Sequence, residues 1–325
     1  MDDILKLAGA NLLSPIILSF ALGLAAALAR SDLSVPEAAA KALSIYLLFA
    51  IGFKGGAAVA AHGVDATLVL SLGAGIVLSL AIPFVAYALL RAITRLSVLD
   101  AAAVAAHYGS ISIVTFVAAT SVLTAQGIEF EGYMVAVAAA MEAPAIISAL
   151  WLVTRGAGGQ RIDAELWREI LLNGSIVLLV GSFAIGLVTG QKGLDEIASF
   201  IVAPFKGVLC LFLLDMGLVA GRGLRQSRGV LSAGALGFGI VMPLIGASLG
   251  LVAALALGLS PGGTALLMVL SASASYIAVP AAMRVALPAA NPAISLTLAL
   301  GVTFPFNLTL GIPLYIAVAQ ALTGA

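Results

Sequence analysis

Long apolar runs, separated by short charged or glycine- and proline-containing stretches, recur from one end of the chain to the other. A membrane-spanning helix needs ~20 apolar residues, because each adds ~1.5 Å toward a hydrocarbon core of ~30 Å. Ten segments have that length: 10–30, 38–61, 66–93, 99–125, 132–154, 169–190, 198–221, 230–258, 262–288 and 292–322. The third, eighth and tenth are long enough to tilt or kink. The pattern predicts an all-α membrane protein of ten transmembrane helices.

Two segments are interrupted by small polar residues, GSISIVTFVAA at Gly109–Ala119 and SASYIAVPAAM at Ser273–Met283. Their surroundings match in order. SVPEAAAKALSIYLLFAIGFKGGAAVAA, read as an amphipathic lead-in and a helix broken near Gly52, Gly55 and Gly56, pairs with GLDEIASFIVAPFKGVLCLFLLDMGLVAG. AMEAPAII (Ala140–Ile147) superimposes on VTFPFNLT (Val302–Thr309) through Pro144 and Pro305. These matches predict a 5+5 inverted-topology repeat, with residues 1–156 as the first unit, a cytoplasmic linker at 157–168 and residues 169–325 as the second. Five spans is an odd number, so the second unit enters the membrane with opposite polarity, and its discontinuous helix crosses that of the first at mid-membrane.

Composition agrees with lipid as the main solvent: 62% of residues are hydrophobic and 9% charged. The 15 basic and 15 acidic residues cancel, which leaves no basic surface for nucleic acid. The single cysteine, Cys210, lies in the apolar run VLCLFLL and reads as a packing residue. Arg30, Lys41, Arg91, Arg95, Arg155, Arg161, Arg168, Arg222, Arg225, Arg228 and Arg284 fall on one side of the predicted spans, and little beyond Lys6 and Lys192 on the other. The basic side is predicted cytoplasmic, with both termini outside. MDDILKLAG opens acidic and runs into a full span, so no cleaved leader is expected.

A broken helix leaves backbone groups that protein, water or a ligand must satisfy, and the amino end of the following half-helix carries unpaired N–H groups and partial positive charge. A small anion is predicted between the breaks, bound by Gly109, Ser110, Ile111, Ser112, Ser273, Ala274, Ser275 and Tyr276. Small residues also serve close helix packing, the plainer reading of any single serine. Charges within spans cost about 2.5–3.5 kcal/mol on insertion scales, so Lys54, His107, Glu142, Lys206 and Asp215 each need a reason. Lys54 and Asp215 fall at equivalent repeat positions and form a candidate buried ion pair. Lys206 reads as snorkelling, and His107 as either an interior histidine or a protonation gate. Glu142, its repeat partner Thr303, and Asn307, Thr115 and Ser271 form a candidate sodium or coupling set. The chain has no HExxH, P-loop or cysteine–histidine cluster. An ion gradient is therefore the expected energy source, with no cofactor and no enzymatic activity.

The run from Ser271 to Gly324, notably ANP at Ala290–Pro292 and GIPLYIAVAQ at Gly311–Gln320, together with IGFKGG, GSISIVTFVAA and AMEAPAII, resembles the sodium-dependent bicarbonate transporter family of cyanobacteria, the SbtA-type permeases. The resemblance implies core and gate domains each built from both repeats, a homotrimer, and sodium-coupled bicarbonate uptake by an elevator-like motion in a bacterial inner membrane. Tyr276 stands where that family has an aspartate, and Lys54 and Asp215 replace uncharged residues. The short linker argues against the family's PII-like regulator. A small monocarboxylate transporter of the same fold is the alternative, since Tyr276 could bound an organic substituent. A channel or an intramembrane enzyme using His107 and Glu142 fits the pattern less well.

Overall fold

The computed structural model describes residues 13–63, 65–156, 168, 172, 174–226, 232–277, 279–280, 282–283 and 287–324. The start of the first predicted segment and nearly all of the linker, including Arg161, lie outside the described residues, as do Arg228 and Arg284. In chain order the helices are α1 (Pro15–Leu28), α2 (Glu37–His62), α3 (Ala66–Ile93), α4 (Val98–Gly109), α5 (Ile113–Ala125), α6 (Met134–Ala140), α7 (Pro144–Gly156), α8 (Gly174–Ile201), α9 (Phe205–Gln226), α10 (Ala233–Leu257), α11 (Pro261–Ala272) and α12 (Pro292–Thr323). No strand occurs among the described residues. Eight predicted segments coincide with helical stretches long and apolar enough to cross a membrane, and the other two with the shorter apolar helices α1 and α11. The chain is an all-α, multi-pass membrane protein.

Short polar residues start many of these helices by accepting an otherwise orphaned N–H. Ser14, Asp65, Ser97, Ser112, Ser232, Ser260 and Asn291 cap α1, α3, α4, α5, α10, α11 and α12. At the far end of α1, Arg225 donates to the Ala27 carbonyl at 2.9 Å, and Arg222 reaches the Leu33 carbonyl, also at 2.9 Å. Two of the basic residues that set the predicted orientation thus also tie α9 to the end of α1 and the turn beyond it.

Three expectations need correction. First, α2 runs unbroken through Gly52, Gly55 and Gly56. A Cβ on Gly52 would stand 2.0 Å from Ser182 Oγ, and one on Gly56 1.9 Å from the Phe183 carbonyl oxygen. These glycines bring α2 against α8 rather than breaking it. Second, the helical run of the sixth segment extends past residue 190 and turns at Gly190, whose φ of 60° and ψ of −151° suit glycine. Its amphipathic continuation ends at Ile201, so the next span begins at Phe205 and not near 198. Third, the fifth segment is interrupted at 141–143, before Pro144, whose ring disfavours helix in the preceding residue. The tenth segment, long enough to kink, is irregular: α12 contains wide π-turns at Ala299–Thr303 and Asn307–Gly311, on either side of Pro305.

Packing sorts the helices into two groups. α1 lies along α9 and α2 along α8, and α2 also touches α9. A Cβ on Gly23 would meet the Leu214 carbonyl oxygen at 2.0 Å, and one on Gly217 the Phe20 carbonyl oxygen at 2.2 Å. In the other group α3 packs on α4, α4 on α7, α10 on α11 and α11 on the end of α12, with α3 against α10. The long helices α3 and α10 each pass through an internal proline, Pro83 and Pro243.

Candidate substrate and coupling site

The two interruptions are real breaks, and they meet. α4 ends at Gly109, Ser110 is extended (φ −91°, ψ 159°), and α5 begins only at Ile113. Gly109 is required there, because a Cβ would lie 2.3 Å from Pro83 Cγ and 2.8 Å from Ala145 Cβ. α11 ends at Ala272, Ser273 is extended (φ −87°, ψ 165°), and helix resumes at Val279. The Ser275 N–H donates to the His107 carbonyl at 2.7 Å, while His107 Nδ1 lies 2.6 Å from the Ser275 carbonyl. A carbonyl only accepts, so this contact requires the proton on Nδ1. A third bond runs from the Ser112 N–H to Ser273 Oγ at 2.9 Å.

The serines named from sequence are therefore largely engaged with protein. Ser273 Oγ donates to the Leu270 carbonyl at 2.9 Å, and Ser112 Oγ accepts from the Thr115 N–H at 3.2 Å and from Thr115 Oγ1 at 2.9 Å. Ser110 Oγ donates to the Glu142 carbonyl at 2.9 Å and so ties the first break to the interruption in the fifth segment. Val279 N–H approaches Ser275 Oγ at 3.5 Å. Ser110, Ile111 and Ser275 are each 1% exposed, and Ser112, Ser273 and Ala274 are also buried. Ile113 and Val114, the first two residues of α5, have backbone N–H groups with no acceptor among the described residues.

The candidate coupling residues divide sharply. Thr303 Oγ1 donates to the Gly239 carbonyl at 2.6 Å, which leaves the Tyr108 hydroxyl as donor in its 2.6 Å contact with Thr303. Asn307 is held at both ends: its Nδ2 donates to the Ala272 carbonyl at 3.0 Å and its Oδ1 accepts from the Tyr315 hydroxyl at 3.0 Å. Glu142 is 3% exposed, yet its Oε2 has no hydrogen-bond partner. Ser271 Oγ is likewise buried and unpartnered. Lys54 places its ammonium 3.8 Å from the centroid of the Phe205 ring, a cation–π contact, and no ion pair joins it to buried Asp215 among the described residues. Lys206 is exposed near the start of α9.

Three participants were not foreseen. Tyr108 supplies the hydrogen bond that fixes Thr303, and Phe304 supports Tyr276 edge-on at 5.4 Å between centroids. Glu131 accepts from the Ser260 N–H at 2.7 Å and from Ser260 Oγ at 2.9 Å, clamping the start of α11. Tyr108 was signalled only by adjacency to His107, and the other two by nothing local.

A cavity of about 700 Å³ adjoins the second break, with Met216, Val219 and Arg222 of α9, Tyr276 and Ile277 of the break, and Pro292 and Leu300 of α12 in its wall. A smaller one of about 110 Å³ reaches His107 past Pro288 and Ser295. Another, of about 420 Å³, lies where Asp65, Glu129, Glu131 and Ser260 gather.

Many apolar helices, two of them interrupted where they meet in a buried centre, form the pattern of a multi-pass membrane transporter. Residues 15–320 match the model of the Na+-dependent bicarbonate transporter superfamily, and the chain belongs to that superfamily. Sodium and bicarbonate are accordingly the ions its family associates with transport. No curated protein matches the chain.

Proposed function

We propose that the protein imports bicarbonate together with sodium, holding the anion where the two breaks cross and the cation beside Glu142. The observation that carries this reading is the reciprocal bonding of His107 with Ser275, one break from each half of the chain, in a centre closed to solvent. Unpaired amides at the start of α5 suit an anion, and the unpartnered oxygens of Glu142 and Ser271 are hard ligands suited to sodium. Thr115, Thr303 and Asn307 then act by holding the surrounding backbone.

An inverted repeat of residues 1–156 and 169–325 is supported by reciprocal packing, α1 on α9 and α2 on α8, and by Pro83 matching Pro243. On this reading α1, α2, α8 and α9 form a gate domain, and α3–α7 with α10–α12 a core that slides past it like an elevator. The charge-derived orientation puts Arg222 on the cytoplasmic side of a bacterial inner membrane, both termini outside, and makes the 700 Å³ cavity the inward route. α8 exposes Val177, Val180 and Val188 and is the surface we assign to lipid or to trimer contacts.

Uptake of labelled bicarbonate into proteoliposomes tests the reading. Accumulation under an inward sodium gradient is expected, and accumulation indifferent to sodium contradicts it. A small monocarboxylate such as acetate is the second reading, favoured by the mostly apolar wall of the cavity beside Tyr276.

A further inference from the structure

Tyr276 occupies the bend between the extended stretch at Ser273–Ser275 and the helix that resumes at Val279. The residue is 9% exposed, and its ring packs edge-on against Phe304, which in turn packs edge-on against Phe20 of α1 at 5.3 Å. Between these neighbours the ring is confined. Its hydroxyl is inaccessible to solvent and faces the Ser112 side chain at the N-cap of α5; Ser112 Oγ already accepts twice from Thr115, so any bond between the two runs from Ser112 to the phenol oxygen and leaves the phenol proton without an acceptor.

A buried phenol proton without an acceptor is uncommon in a folded protein and calls for a specific partner. Here it lies at the amino end of a helix whose first two amides, on Ile113 and Val114, have no acceptor among the described residues. Two amides and the phenol proton are all donors in need of an acceptor, and an acceptor-rich, anionic group satisfies them together. The same residue also lies in the wall of the 700 Å³ cavity. Its ring therefore separates the buried donors from that space.

Building on the transporter reading above, we propose that Tyr276 sets the substrate class of the site. The hydroxyl donates to the bound oxyanion, and the ring excludes carboxylates whose alkyl substituent would need the adjoining cavity. The protein thereby favours bicarbonate over acetate, butyrate or hexanoate although the space to hold them is one side chain away.

The test is calorimetric binding of bicarbonate, acetate, butyrate and hexanoate, in saturating sodium, to the full chain in lipid nanodiscs. Wild type, Tyr276→Phe and Tyr276→Ala are compared, with thermal unfolding as the check on folding. Tyr276→Phe should keep its melting temperature and weaken bicarbonate by about ten-fold or more, the loss of one hydrogen bond to a charged group. Tyr276→Ala should gain butyrate and hexanoate binding that wild type lacks. Unchanged bicarbonate affinity in Tyr276→Phe overturns the donor role, and rejection of longer carboxylates by folded Tyr276→Ala overturns the selectivity role. Should wild type bind acetate and not bicarbonate, the proposed substrate falls, while the donor role is still decided by the effect of Tyr276→Phe on acetate. Wild type that binds none of the four anions refutes both.

Discussion

At the scale of single residues, the break is shaped as much by what is missing as by what is present. Gly109 lacks a Cβ where Pro83 and Ala145 leave no room for one. Gly109→Val is expected to destabilise the protein by about 1–3 kcal/mol through overpacking, read as a lower melting temperature in detergent. His107 makes both ends of the contact with Ser275, so His107→Ala leaves a buried carbonyl unsatisfied. A loss of about 1–3 kcal/mol is the expected cost, together with reduced uptake. Glu142→Gln keeps the shape and removes the charge. If Glu142 ligates the cation, the sodium concentration for half-maximal uptake rises by about ten-fold, on the scale of one lost charged ligand. An unchanged sodium dependence would remove Glu142 from the coupling site.

At the scale of elements, two clamps hold the interrupted helices at the ends away from their breaks. Glu131 accepts from Ser260 at the start of α11, and at the start of α4 Asp100 accepts from the Asn291 N–H at 2.8 Å. In each pair a carboxylate joins the start of a broken helix to a connection from the other half of the chain. Glu131→Ala removes a charge from a helix amino terminus as well as two hydrogen bonds. A destabilisation of about 1–2 kcal/mol is expected, partly reversed by replacing Ser260 as well, since paired deletions are not additive. The breaks and prolines were legible in the sequence because small polar residues stand out in an apolar run. The clamps were not, because Glu131 and Ser260 are 129 positions apart and each looks like an ordinary loop residue. Gly52, Gly55 and Gly56 misled for a related reason: glycine marks both a break and a close approach, and only the position of α8 decides between them. The interruption before Pro144 and the π-turns around Pro305 show the same limit, since prolines in similar local sequence are accommodated differently by different neighbours.

At the scale of the whole molecule, the all-helical, multi-pass architecture followed from hydropathy and length, with eight of the ten expected segments long and apolar enough to span among the described residues. The large cavity beside Tyr276 did not, because it depends on how α9 and α12 pack around the second break. Arg222 and Gly223 both line the large cavity, and Gly223 is partly exposed. With Cys210 replaced by serine, a Gly223→Cys variant should react with a membrane-impermeant maleimide in inside-out vesicles and stay protected in right-side-out ones. The opposite pattern would reverse the proposed orientation. The central claim is that the crossed breaks cradle the anion, and a density map of the protein saturated with bicarbonate and sodium tests it most directly. A planar oxyanion between the Ile113 and Val114 amides and the Tyr276 hydroxyl is the predicted result; an anion bound elsewhere, with the His107–Ser275 crossing unoccupied, would contradict it.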